Sequence, residues 1–323
     1  MVQETKMKDN FKSLIELLDF FKEEKTCYEF LAQQIWEGGK AVCPHCNSTK
    51  VYTTKSRSTN PVKKDIPEYR CASKECGKKF TATVGTIFES SKISLRTWYA
   101  AIYLASSSKK GISSLQVSRQ LNITQKTAWY LLQRIREMFK ESAPTMLKGT
   151  VEVDETYVGG KDKNRHANKK KGGRGRSTDK TPVVGLLERD GRVITFVVPD
   201  TSAKTIQPIM VANVAQDALL LTDNYLSYKG LDKVYNHVTV KAIDGNFKTV
   251  GKFHTNNIEN FWSIFKRGII GVYHYVSPKH LHRYGVEFSY RYNSRKIADG
   301  IRFEDVIKQS ANKLLPYKTL IAK

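Results

Sequence analysis

GTVEVDETYVGG, residues 149–160, is where the chain changes texture from helical to β. Val151 and Val153 alternate with acidic residues, the period-two pattern of a half-buried strand. Glu152 and Asp154 lie two apart and share one face, while Glu155 points to the other. The next stretch, TPVVGLLERDGRVITFVVP (181–199), reads as two strands, with Asp190-Gly191 as the hairpin turn between them. Thr205–Asp217 has a helical pattern. Leu219–Thr222 is a short apolar strand of the kind buried on both faces, and it ends at Asp223. Strand, hairpin, helix, strand is the element order of an RNase H-like core with a mixed sheet, and it brings Asp154 and Asp223 to neighbouring strands.

Downstream, FHTNNIENFWSIFKRGIIGVYHYVSPKHLHRYGVEFSYRYNSRK (253–296) opens with a helix capped at Thr255 or Asn256. Glu259 stands three residues after Asn256, in capping-box spacing. Ile258, Phe261, Trp262 and Phe265 form the apolar stripe. Glu259 and Lys266 are seven apart and fall within about 20° of one another on a helix. Between Asp223 and Glu259 lie 35 residues. Glu259 is the third acidic candidate. Asn256, on the same helix face, is the alternative, and Glu259 as a capping residue alone is a further reading. Phe288, Tyr290 and Tyr292 pack a closing helix.

Upstream, Cys43-Pro44-His45-Cys46 and Cys71-Ala72-Ser73-Lys74-Glu75-Cys76 make two short-spaced cysteine pairs with 24 residues between them. Four thiols on two knuckles supply the closed tetrahedron of a structural Zn2+, and Tyr69–Cys71 and Lys79–Thr81 read as strands of a zinc ribbon. Cys27 reads as a core residue. Phe11–Trp36 reads as one helix. Ile112–Leu121 and Gln125–Lys140 are helices joined by a tight turn, with Ser113 or Ser114 capping the first and Thr124 the second. That is the helix-turn-helix pattern, and it would present Gln125, Lys126, Thr127 and Tyr130 to a DNA major groove.

The chain of 323 residues carries 54 Lys or Arg against 31 Asp or Glu, a net charge of +23. Such a field draws polyanions, and counterion release makes double-stranded DNA the natural partner. No apolar stretch of roughly 18 residues exists, so the reading includes no membrane association and a cytoplasmic, nucleoid-associated location. Residues 161–181 hold a basic run, including Lys169, Lys170, Lys171, Arg174 and Arg176, read as a mobile loop that could lie along a DNA backbone or be a solvated charge run. Tyr225 and Tyr228 read as base-stacking or core residues. His254, His274, His280 and His282 read as phosphate contacts or core residues.

The two aspartates, Glu259 and Lys266 resemble the DDE triad region of integrase-like transposases. A zinc ribbon and a helix-turn-helix followed by EVDETYVGGK, TDNYLSY, HTNNIENFWSIFKRGIIGVYHYVSPKHL and RYGVEFSYRYN resemble the zinc-ribbon branch of bacterial insertion-sequence transposases, from roughly Ile35 to Asn293. In that branch the third position is Asn in many members and Glu in others. The resemblance implies a metal-dependent strand cleavage and strand transfer on transposon ends and target DNA, with two Mg2+ or Mn2+ ions on Asp154, Asp223 and Glu259, Lys266 and Arg267 on phosphate, and a homo-oligomer on DNA. The alternatives are an RNase H-like nuclease or resolvase that does not join, and a non-catalytic DNA-binding protein. The expected architecture is multidomain α+β. It comprises an N-terminal helical segment (1–36), the zinc ribbon (37–90), the helix-turn-helix (91–143), an RNase H-like α/β domain (148–300) and a C-terminal helical tail (301–323).

Overall fold

The computed structural model describes residues 11–54, 65–141, 145–160, 166, 180–240 and 253–322. They fall into two compact units, one drawn from Met1–Ser142 and Lys296–Lys323, the other from Ala143–Arg295.

In the first unit Phe11–Trp36 is two helices, α1 (Leu14–Phe20) and α2 (Glu24–Ile35), not one. The Ser13 hydroxyl accepts from the Glu16 N–H at 3.1 Å to start α1. The break follows from what Phe21 must do. It is fully buried and faces Phe30, Tyr99 and Phe303 with ring centroids 5.1, 4.8 and 6.1 Å away. The zinc ribbon has three antiparallel strands, β1 (Val51–Thr54), β2 (Glu68–Cys71) and β3 (Lys79–Phe80), of which β1 was not foreseen. Helix α3 (Leu95–Ser107) leads to α4 (Ser114–Leu121) and α5 (Gln125–Met138). Ser113 and Thr124 cap these two through Gln116 and Thr127, and Asn122 takes the left-handed conformation, φ 51°, that ends α4. The segment expected as a separate C-terminal tail is part of this core. Helix α9 (Asp299–Lys308) carries Phe303, whose ring stacks on Phe30 at 6.0 Å and meets Tyr99 edge-on at 5.5 Å.

The second unit is built on a five-stranded sheet ordered β6-β5-β4-β7-β8. Its strands are β4 (Thr150–Val158), β5 (Thr181–Glu188), β6 (Val193–Val197), β7 (Leu219–Thr222) and β8 (Asn236–Thr239). The central β4 pairs antiparallel with β5 and parallel with β7, so the sheet is mixed as an RNase H-like core requires. Helix α6 (Ala203–Asn213) ends four residues before the sequence suggested. The chain is drawn extended there because Leu147 bridges Val214 in parallel, and the Ala215 N–H donates to the Leu147 carbonyl at 2.9 Å. One cluster joins Val151, Val153, Leu186 and Leu220 to Ile206 and Met210 of α6. The other joins Val183 and Leu187 to helices α7 (Asn256–Gly268) and α8 (Pro278–Asn293) through Ile258, Phe261, Trp262, Phe265 and Phe288.

Gly185 fixes how closely α7 approaches. It pairs with Asp154 across β4 and β5, and a Cβ there would lie 2.6 Å from the Trp262 ring. Glycine is required by that contact, not by its dihedral angles.

Phe303→Ala removes the ring that joins α9 to α2 and α3. The expected cost is about 3–5 kcal/mol. Hydrogen exchange should show protection lost across α1, α2, α3 and α9 while β4 and β5 keep theirs.

Candidate active site

Asp154 sits mid-strand on β4, half-buried, with its side chain on the same sheet face as Glu152. Its carboxyl is pushed up to about 8, first by burial, then by the charges of Glu155, Asp223 and Glu259, against one lowering backbone hydrogen bond. Asp154 forms no ion pair among the described residues. Asp223 follows β7 directly, and its Oδ1 accepts from the Tyr225 N–H at 3.0 Å, an Asx turn that fixes the carboxylate at the strand end. Glu259 lies in the first turn of α7, accepts from the Thr255 hydroxyl at 3.2 Å, and is raised by burial and by Glu152. The fold therefore brings the three sequence-assigned acids into one electrostatic neighbourhood. Among the described residues, however, only the four zinc-ribbon thiols gather within 4.8 Å of one another.

The charge of Glu259 registers on Asp154. Asn256 is exposed, and its backbone N–H donates to His254 Nδ1 at 3.4 Å. Asn257 is committed elsewhere, its Nδ2 donating to Glu152 Oε1 at 2.8 Å. Lys266 and Arg267 are both exposed in the last turn of α7, and Arg267 Nε donates to the Ser263 carbonyl at 3.2 Å.

The residues that hold this arrangement were not foreseen. Glu152, one strand period before Asp154, is fully buried. Its Oε2 accepts the backbone N–H groups of Asn257 and Ile258, each at 3.0 Å. Those are orphan donors of the first turn of α7, so a carboxylate from β4 does the capping the sequence assigned to Thr255 or Asn256. Thr255 holds the cap position but makes no side-chain cap bond. Arg189, in the β5–β6 hairpin, completes the set, with Nε 2.8 Å from Glu152 Oε1 and Nη2 2.6 Å from the His254 carbonyl. His254 Nδ1 lies 3.1 Å from that Nη2, so this histidine is a structural partner here. The one sequence signal was that Glu152 and Asp154 share a face.

On the other face of β4, the Tyr228 hydroxyl donates to Glu155 at 2.7 Å, and the ring is fully buried. Tyr225 packs against the same cluster. Tyr228 is a core residue, and Tyr225 is half-buried beside it.

In the zinc ribbon, Cys43 Sγ stands 3.7 Å from Cys76 Sγ, and Cys46 Sγ 3.5 Å from Cys71 Sγ. Burial alone would raise the Cys43 thiol. The backbone N–H groups of His45 and Cys46, together with the neighbouring Cys46 and Cys76 thiols, outweigh it and bring the thiol down to about 7. Against the Ser48 N–H, burial and the neighbouring thiols push Cys46 up to about 12. Knuckle amides aimed at sulfur favour the thiolate, the form that binds Zn2+. The four cysteines form a structural zinc site.

The model of the ISXO2-like transposase domain matches residues 146–293, and that of the transposase zinc-ribbon domain matches residues 22–79. A transposase-like protein of Haemophilus influenzae is 30% identical over 124 residues, which cover 36% of this chain and 92% of that protein. The chain belongs to the ISXO2-like transposase family. A protein in the transposable element ISH50 of Halobacterium salinarum is 29% identical over 259 residues, 76% of this chain and 83% of its own length. In this transposase the first match encloses Asp154, Asp223 and Glu259, and the second encloses all four zinc-ribbon cysteines.

The transposase's expected DNA contacts divide three ways. Gln125 and Lys126 are exposed at the start of α5, and Thr127 is half-exposed. Tyr130 is turned away from the expected role. Its hydroxyl donates to the Leu315 carbonyl at 2.6 Å, and its ring meets Tyr317 edge-on at 5.4 Å. Lys169, Lys170, Lys171, Arg174 and Arg176 lie outside the described residues.

Two outcomes test the site's electrostatics. Glu152→Ala removes a buried charge that caps α7 and faces Arg189, and should cost about 3–5 kcal/mol in denaturant unfolding. For Asp154 the folded carboxyl lies above its unfolded value of 3.8. Unfolding therefore releases a proton between these values, and this group's contribution falls as pH rises from about 4 to about 8. Asp154→Asn should accordingly raise the metal-free melting temperature more at pH 8 than at pH 5.

Proposed function

We propose that this chain is the transposase enzyme itself, binding insertion-sequence ends and carrying out strand cleavage and strand transfer. The observation that carries this is the carboxyl of Asp154, held on the central strand among the charges of Asp223 and Glu259 with no ion pair among the described residues. An uncompensated acidic group of this kind is suited to hard divalent cations, whose preferred ligands are carboxylate oxygens, water and phosphate. The donor set fits Mg2+ or Mn2+, with Asp154, Asp223 and Glu259 as ligands and Asn256 as the alternative to Glu259. When bound, two such ions activate the attacking oxygen and stabilise the leaving one in an in-line displacement.

The chain's own residues supply placement. Glu152 and Arg189 hold the first turn of α7, which sets Glu259 against β4. Lys266 and Arg267, at the far end of the same helix, are positioned to meet phosphates. The attacking groups are water for cleavage and a DNA 3′-hydroxyl for joining, so no covalent protein intermediate forms. Gln125, Lys126 and Thr127 on the exposed start of α5 read the element end in the major groove, and the zinc ribbon assists from the same unit. Joining two ends requires an oligomer on DNA. The protein acts on the nucleoid in the cytoplasm, and among the described residues no helix is long and apolar enough to cross a membrane.

The test is a strand-transfer assay with element-end duplex and Mg2+ or Mn2+. Loss of an outer partner of a metal ligand costs about 10–100-fold, so Asp154→Ala and Asp223→Ala should each lower cleavage and joining by more than about a hundredfold. Glu259→Ala should match them, and Asn256→Ala should not. Cleavage without joining would instead indicate a nuclease, and full activity in Asp154→Ala would end the metal-site reading.

A further inference from the structure

Beside α5, within the unit drawn from Met1–Ser142 and Lys296–Lys323, lies a cavity of about 690 Å3. That is within the 300–1,000 Å3 range of ligand sites. Its walls come from Glu89, Lys92 and Trp98, from Lys126, Tyr130 and Arg134, and from the segment Leu314–Tyr317.

Arg134 is the informative residue. It is only 6% exposed, yet forms no ion pair among the described residues. Its Nη2 donates to the carbonyls of Ile87 and Glu89, while its Nε has no hydrogen-bond partner. The nearby Glu89 carboxylate accepts from the Gly85 N–H at 2.8 Å. Glu89 acts on the guanidinium through its charge but forms no ion pair with it. A buried guanidinium at a cavity wall without a direct carboxylate partner is stabilised by an incoming anion. The aromatic groups around it narrow the choice of anion. The guanidinium lies 5.2 Å from the Trp98 ring and 5.5 Å from the Tyr130 ring, and Lys126 Nζ stands 5.4 Å from the Tyr317 ring centroid. Cations interleaved with aromatic faces are how proteins hold a phosphate together with its base.

We propose that this cavity receives one nucleotide of a bound DNA strand, its phosphate on Arg134 and Lys126 and its base against Tyr130 and Tyr317. The site rests on the reading of the chain as a DNA-binding transposase; it shares Lys126 and Thr127 with the major-groove set at the start of α5 and adds Tyr130, Arg134 and Tyr317 to it. It also gives Tyr130 a task consistent with its turn away from the exposed start of the helix. The segment Leu314–Tyr317 is then a wall of a binding site, not a cover over α5.

Calorimetric titration of the full chain with a thymidylate trinucleotide, thymidine monophosphate, thymidine and inorganic phosphate tests the site. The trinucleotide and the monophosphate should bind saturably, with thymidine and phosphate each at least about tenfold weaker. Tyr317→Ala should weaken trinucleotide binding about tenfold. Arg134→Lys should weaken it similarly, because an ammonium lacks the guanidinium fork. If Arg134→Lys lowers the melting temperature, Tyr317→Ala and Lys126→Gln carry the test. Trinucleotide affinity unchanged in both, or equal to that for inorganic phosphate, overturns the site. Monophosphate binding without trinucleotide binding overturns a strand site. Tighter trinucleotide binding by a chain ending at Lys313 overturns the wall and makes the segment a cover. Trinucleotide binding that persists when element-end duplex is not bound supports the cavity while removing the major-groove reading.

Discussion

The second unit depends on a buried carboxylate meeting the start of a helix. Glu152 leaves β4 and takes the first free N–H groups of α7, and Arg189 balances its charge from the β5–β6 hairpin. Three separate elements are fixed at one point, and a fully buried Glu is tolerable only because each oxygen is satisfied. Because Asp154 is two residues along the same strand face, the bond that anchors the helix also sets the height at which its first turn stands over Asp154. A displaced cap would move Glu259 with it.

The close approach of Trp262 works with this anchor. The indole lies where the side chain of residue 185 would otherwise be, directly across the strand pair from Asp154. This packing partly removes Asp154 from water, and the neighbouring acids add to the effect. Helix packing and acid placement are therefore one problem. The apolar stripe of α7 is pressed against β5 so that its polar edge can share space with three acidic side chains. Such concentrated like charge costs stability unless a cation joins it, as is common where stability is exchanged for function.

Much of this was legible from residue order. The alternation in GTVEVDETYVGG, the Asp190-Gly191 turn and the apolar run before Asp223 led to the strands as found. Ser113, Thr124 and the cysteine spacings located two helix starts and the metal cluster. What was not legible depended on partners distant in sequence. Glu152 and Asn257 are 105 residues apart, and no local pattern marks a strand acid as the cap of a remote helix. Periodicity carried Phe11–Trp36 through as one helix because Phe21 fits an apolar stripe, and only its burial among rings from α2, α3 and α9 shows why the chain bends there. Tyr130 likewise looked available on its helix until Leu315, 185 residues away, accepted its hydroxyl.

The first unit is discontinuous in the chain, and that has a consequence for synthesis. Its aromatic core takes Phe11, Phe21 and Phe30 from the beginning and Phe303 from near the end, with all of Ala143–Arg295 in between. As the polypeptide leaves the ribosome, the RNase H-like unit has its full sequence before the earlier-made helices receive their last ring. The nascent zinc-ribbon and helical segment must wait, partly assembled, for about 160 residues of translation between Ser142 and Phe303. A ribosome that stalls in that interval releases a chain whose N-terminal core is incomplete.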